Sequence, residues 1–160
     1  MPKDQKSRAD EQMRIEQKLF SAIKRKLGDD TLVANADLSL SNTPGATIRP
    51  DFYSEANRII GEIFAHRGNV KVGQSHKIAE DILKMLLFEK DRGCSFKKIL
   101  VVCSAELERY LHGKSKMSAA CQQFGIEIVN LESELSPKEI ENLESAQDRQ
   151  NFYPGRKKQD

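Results

Sequence analysis

Residues 97–104 read KKILVVCS, with no polar side chain between Lys98 and Ser104. A strand with one face in water alternates apolar and polar residues, whereas a strand covered on both faces reads as an unbroken apolar run. The stretch therefore predicts a strand at the middle of a sheet, with helices packed on either side. The rest of the chain has to supply those helices and the flanking strands.

Helical periodicity supplies the layers. Met13, Ile15, Leu19, Phe20, Ile23 and Leu27 recur mostly at three- and four-residue spacing and stop at Gly28, which predicts an amphipathic helix over 10–27. From Ser75 to Lys90, the residues Ile78, Ala79, Ile82, Leu83, Met85, Leu86 and Leu87 cover a wide face, as expected of a helix laid heavily on a sheet. Residues 105–124 read as helix broken around Gly113, and IEIVNLE at 126–132 alternates as a strand does. A last helix opens at SPKE, with Ser136 as N-cap, Pro137 at the first helical position and Glu139 closing a capping box. Ahead of the apolar run, TLVANADLSL (31–40) predicts a strand and SNTPG (41–45) a turn. Strands over 47–53 and 58–66 follow, joined by the tip SEAN. The order is helix, a three-stranded meander, then helix, strand, helix, strand, helix. It predicts an α/β fold whose mixed β-sheet is flanked by helices.

Length and composition bound this reading without sharpening it. A chain of 160 residues forms one core most simply, here placed at 9–152, with residues 1–8 and a basic tail at 153–160 expected to be unstructured. Hydrophobic residues at 38% and charged residues at 31% suit a globular chain, and no apolar run is long enough to span a bilayer. The N-terminal residues have no apolar signal core, which places the chain in the cytoplasm. Three cysteines without a CxxC pair indicate neither a disulfide framework nor a zinc ribbon. The net charge of +2 announces no polyanionic partner, although KRK at 24–26 and GRKK at 155–158 are local basic clusters.

The stretch RPDFYSEANRIIGEIFAH, residues 49–66, sets one acid in each of two apolar strands, Asp51 and Glu62. An ionised carboxylate is costly to bury unless something pairs with it. With Glu55 and Ala56 as a two-residue tip, Tyr53 faces Arg58, Asp51 faces Ile60, and Glu62 lies diagonally from Asp51 on the same face, roughly 7–8 Å away. One extra loop residue would put the acids on opposite faces, because side chains alternate with period two. A same-face acid pair suits Mg²⁺ (or Mn²⁺), which takes oxygen ligands from one or two carboxylates plus substrate phosphates, and the matching chemistry is phosphodiester hydrolysis.

RPD followed by GE on the next strand, within an αβββαβ order, resembles the PD-(D/E)xK, or restriction-endonuclease-like, nuclease superfamily over about residues 10–132. The resemblance implies that core with a C-terminal αβα extension, and a nuclease acting on DNA, or RNA, alone as a homodimer or with a partner subunit. It makes Pro50-Asp51 the "PD" and Glu62 the "(D/E)", and sets Glu16 of the first helix where many members carry a further acid near the metal. The chain departs from the motif where the lysine belongs, for that position is Phe64. Some members supply the lysine from the neighbouring helix, and KVGQSHK offers Lys71, Gln74 and Lys77, of which Lys77 shares a helical face with Gln74. A lysine there orients the attacking water or stabilises developing charge. His66 shares the face of Glu62 but sits roughly 13 Å along the strand. It is assigned, with His76 and Lys71, to contacts with nucleic acid.

Plainer readings stand beside these. Asp51 and Glu62 can project into solvent from an exposed hairpin, and Lys77, Asp81 and Lys84 can form a solvated helical stripe. A nuclease fold that has lost activity and only binds is favoured by Phe64. A Rossmann-like nucleotide binder is disfavoured by the absence of GxGxxG and P-loop patterns. Acyl transfer from Cys103 has no partnered histidine or nucleophile-elbow spacing to support it.

Overall fold

In a computed structural model of the protein, residues 3–68, 70 and 72–150 are described, with side chains described over 5–68, 70 and 73–145. The element order is α1 (Lys3–Leu27), β1 (Val33–Ala34), β2 (Leu38–Ser39), β3 (Thr47–Ile48), β4 (Phe52–Ser54), β5 (Ile59–Phe64), α2 (Val72–Arg92), β6 (Lys97–Val102), α3 (Ala105–Leu111), α4 (Lys116–Gln123), β7 (Ile126–Asn130), a 3₁₀ turn (Glu132–Glu134) and α5 (Pro137–Gln150). Five strands form a mixed, open sheet in the order β1-β4-β5-β6-β7, and β2 and β3 form a small antiparallel pair of their own. The pairs β1/β4 and β4/β5 are antiparallel, and β5/β6 and β6/β7 are parallel.

Alternation along the strands divides the core in two. Ile59, Ile63, Ile99, Val101 and Val129 meet Ile15, Leu19 and Ile23 of α1 and Leu143 of α5. On the other face Ile60, Phe64, Leu100 and Val102 meet Ile78, Ile82, Met85 and Phe88 of α2, Leu107 and Leu111 of α3, and Cys121 of α4. The apolar run of β6 is covered on both sides, as its composition requires. It stands second from the sheet's edge rather than at the middle, which belongs to β5. Cys103 and Cys121 are buried and free.

Helix α1 begins at Lys3, inside the stretch expected to lack structure, and closes with Lys24, Arg25 and Lys26 in its last turn, where cations suit the helix dipole. Gly28, at φ 61°, ends it. The cap of α5 forms as read: Ser136 Oγ accepts from the Glu139 N–H at 3.2 Å, and Glu139 Oε1 accepts from the Ser136 N–H at 2.8 Å. The tail at 151–160 lies outside the described residues. Among the described residues no helix is long and apolar enough to cross a membrane.

The front half departs from the expected meander in detail. The strand expected over 31–40 is split, because Asn35 takes φ 54°, a left-handed turn that asparagine tolerates, so β1 and β2 enter different sheets. The strand expected over 47–53 is split at Arg49-Pro50-Asp51, where proline has no N–H to give a ladder. The tip between β4 and β5 is four residues long, 55–58, not two. Ser54 pairs with Ile59, the Arg58 N–H returns to the Glu55 carbonyl at 3.3 Å, and Arg58 takes φ 51°.

Candidate functional site

The longer tip shifts the expected register by two residues. Phe52 faces Gly61, so the next position along places Asp51 level with Glu62, where the shorter tip had put Ile60. An even shift leaves the faces unchanged, and the two acids remain on one side. Gly61 makes the close approach possible, since a Cβ there would lie 2.0 Å from the Phe52 ring. Beyond the last bridged pair, Asp51 Oδ2 accepts the Ile63 N–H at 2.7 Å, which fixes its carboxylate against β5.

Glu62 faces α2 between Ile60 and Phe64 and is 0% exposed. Burial first, then the charge of Asp51, pushes its pKa up to about 9. Lys84 Nζ lies 2.7 Å from Glu62 Oε1, yet off the angle of a hydrogen bond, so neither Glu62 oxygen receives an aligned donor. Asp81, on α2, is also 0% exposed. Its Oδ1 accepts from Lys77 and lies 3.9 Å from Lys84 Nζ, and its Oδ2 has no hydrogen-bond donor. Burial raises its pKa even so, against the pull of both ammonium groups. Burial works against the charge on Lys77, but Asp81, Glu62 and Asp51 outweigh it and its pKa is raised.

Glu16 of α1 joins from the other side. Burial, then the charge of Asp51, raises its pKa, against a 3.3 Å hydrogen bond from Gln12. A cleft of 280 Å³, lined by Met13, Gln17, Phe20 and Arg49 among others, opens beside Glu16 and Asp51. Four carboxylates, Glu16, Asp51, Glu62 and Asp81, thus lie in one electrostatic neighbourhood with two ammonium groups, Lys77 and Lys84. Fully ionised, the cluster has a formal deficit of two positive charges.

The structure therefore joins Asp51, Glu62, Glu16 and Lys77, and it adds Asp81 and Lys84, for which the sequence alone allows a solvated stripe. Asp81 comes three residues after Ile78 and four before Met85, inside the apolar arc of α2. That position is the signal that separates a buried aspartate from a solvated one. Gln74 is half-buried one turn ahead of Lys77. The His66 ring lies 4.7 Å from that of Phe64, tilted by 53°, and burial, then the charge of Lys77, lowers its pKa. His76 is exposed on α2, and Lys71 lies outside the described residues.

For a metal, the fit is that of a two-carboxylate site. Among the described residues no three His, Cys, Asp or Glu side chains are grouped to hold one ion, so Glu16, Asp51 and Glu62 are not drawn together as one ligand set. Asp51 and Glu62 alone match the sparse protein ligation of Mg²⁺, which keeps several waters. Glu62 Oε1 already has the Lys84 ammonium at 2.7 Å, and Oε2, without a hydrogen-bond donor, is an acceptor that a cation satisfies. No family model, no curated protein and no solved structure matches the chain.

Proposed function

We propose that the protein is a metal-dependent nuclease of the PD-(D/E)xK kind, hydrolysing phosphodiester bonds in DNA. The observation that carries the reading is Asp51, one position past the last bridged pair of β4 and β5 and so level with Glu62 by register, with Glu62 buried, both its oxygens without an aligned donor, and a lysine-bearing helix across from it. The helix–meander–helix–strand order with β5 and β6 parallel agrees with it.

In this reading Asp51 and Glu62 hold Mg²⁺ or Mn²⁺. The ion, when bound, supplies a water of lowered pKa and neutralises charge on a phosphoryl oxygen. The chain's own residues do the rest. Asp51, fixed by the Ile63 N–H, presents its carboxylate at the cleft, and Glu62, fixed in β5, lies buried behind it. Lys77 is half-exposed and keeps its proton, so its ammonium donates to a non-bridging phosphate oxygen as negative charge grows there. Glu16, on the opposite wall, accepts from water, and Gln74 donates to water or phosphate from the turn before Lys77. His66, His76 and Lys71 are assigned to the nucleic acid.

Phe64 favours a second reading. It fills the motif's lysine position and is 3% exposed in the core, as in a nuclease fold that binds nucleic acid or a partner subunit without cutting. The test is cleavage of end-labelled single-stranded, duplex and branched DNA, and of RNA, with Mg²⁺, Mn²⁺ or EDTA. Cutting that needs metal and is lost in Glu62→Ala and Lys77→Ala supports the nuclease. Binding without cutting, unaffected by EDTA, replaces it with the second reading.

A further inference from the structure

Lys84 is held as a bound cation would be. Its Nζ lies 2.7 Å from Glu62 Oε1 on β5, 3.9 Å from Asp81 Oδ1 on its own helix, and 3.4 Å from the Arg49 carbonyl oxygen ahead of β4. Those oxygens come from three separate segments. The sequence spacing explains the arrangement: Lys77, Asp81 and Lys84 follow at i, i+4 and i+7, so the two ammonium groups flank one buried aspartate along one side of α2. They are not equivalent. The Lys77 side chain is 51% exposed and pairs with Asp81, whereas that of Lys84 is 21% exposed and reaches across to the sheet.

We propose that Lys84 is the resident counter-ion of the site, lying on Glu62 in the metal-free protein and leaving it when a divalent cation takes that carboxylate. The inference rests on the metal-site reading above. Two cations at bonding distance from one carboxylate repel strongly where water is excluded, so they compete for it. The ionised form of a buried carboxylate is costly with neither, so its countercharge has to be built in. Lysine suits the task, because its ammonium rides on a flexible four-carbon stem and can swing toward water without moving the helix. Once displaced, the charge stays beside the site on its flexible stem, within reach of an anionic substrate. Lys84 is thus a positioning residue, aligning Glu62 before the metal arrives.

The labelling uses the unaltered full chain. Lysines are acetylated with a limiting amount of acetic anhydride, with and without Mn²⁺, and each site is quantified by peptide mapping, with Lys90 and Lys97 as exposed references. Thermal melting is followed under the same conditions for the native chain and for Asp51→Asn. The expected result is a rise in melting temperature with Mn²⁺ that Asp51→Asn abolishes, together with a several-fold rise in Lys84 labelling relative to the references. A metal-dependent, Asp51-dependent rise in melting temperature with Lys84 labelling unchanged or reduced overturns the inference and leaves the metal site standing. No Mn²⁺ effect on the native chain's melting removes the metal site, and the inference with it.

Discussion

Replacing Glu62 with glutamine isolates the ionisation of an acid that the fold buries completely. The ordinary glutamate value of 4.5 is pushed up to about 9 by burial first and by Asp51 second. The folded protein therefore binds this proton more tightly than the unfolded chain, and stability falls as pH rises between those two values. The contribution is fully present below the unfolded pKa and is lost as pH climbs through the folded one. The slope is about 1.4 kcal/mol per pH unit, so about 3 kcal/mol is lost between about pH 6 and pH 8, out of a ceiling of about 6 kcal/mol. Glutamine keeps the shape and the dipole but cannot ionise. Urea unfolding of native protein and Glu62→Gln, without metal, across that range gives the difference directly. The variant gains on the native protein as pH rises, and Mg²⁺ narrows the gap, because a cation binds only the ionised carboxylate. A stability difference that stays flat with pH refutes the reasoning, since it would mean that Glu62 titrates alike in both states.

Three other substitutions test the frame that holds the site. Gly61→Ala sets a methyl group against the Phe52 ring, and overpacking of this kind costs about 1–3 kcal/mol in urea unfolding, part of which Phe52→Leu restores in the double variant. Ser136→Ala removes the acceptor for the Glu139 N–H and lowers stability by about 1 kcal/mol. Phe64→Lys, which sets a lysine two residues after Glu62 in β5, replaces a buried ring packed in the α2-side core. It destabilises by at least about 3 kcal/mol and restores no cleavage to Lys77→Ala in the nuclease assay.

The parts of the fold legible from sequence are those in which composition and position say the same thing. The apolar run of β6, the wide apolar face of α2 and the Ser136–Glu139 box each carry a local cause strong enough to survive any tertiary arrangement. β6 was nevertheless expected one place too central, because an unbroken apolar run reports cover on both faces and says nothing of how many strands stand on either side. The short front strands failed for a different reason. Asn35 and Pro50 each end a ladder at a single residue, and two-residue strands carry no periodicity to reveal them.

The acid pair shows why an error of register need not destroy a site. The tip of the hairpin is two residues longer than expected, and period-two alternation returns every side chain to its original face after an even shift. Asp51 moved from a diagonal to a level position with Glu62, so the arrangement tightened. An odd shift would have sent one acid toward α1 and the other toward α2. No such parity protects a helix. Lys77, Asp81 and Lys84 make the same i, i+4, i+7 pattern whether that side of α2 meets water or a buried carboxylate; the place of Asp81 inside the apolar arc marks it for burial, but the partner of the two lysines is decided by the sheet beneath. What the sheet offers there is Glu62, an acid in an otherwise apolar strand, and its ionised form requires a countercharge from the element that covers it. The demand made by Glu62 is thus answered on α2, at Lys84 directly and at Lys77 through Asp81. It is the covering helix, not the strand position occupied by Phe64, that brings lysine to the acids.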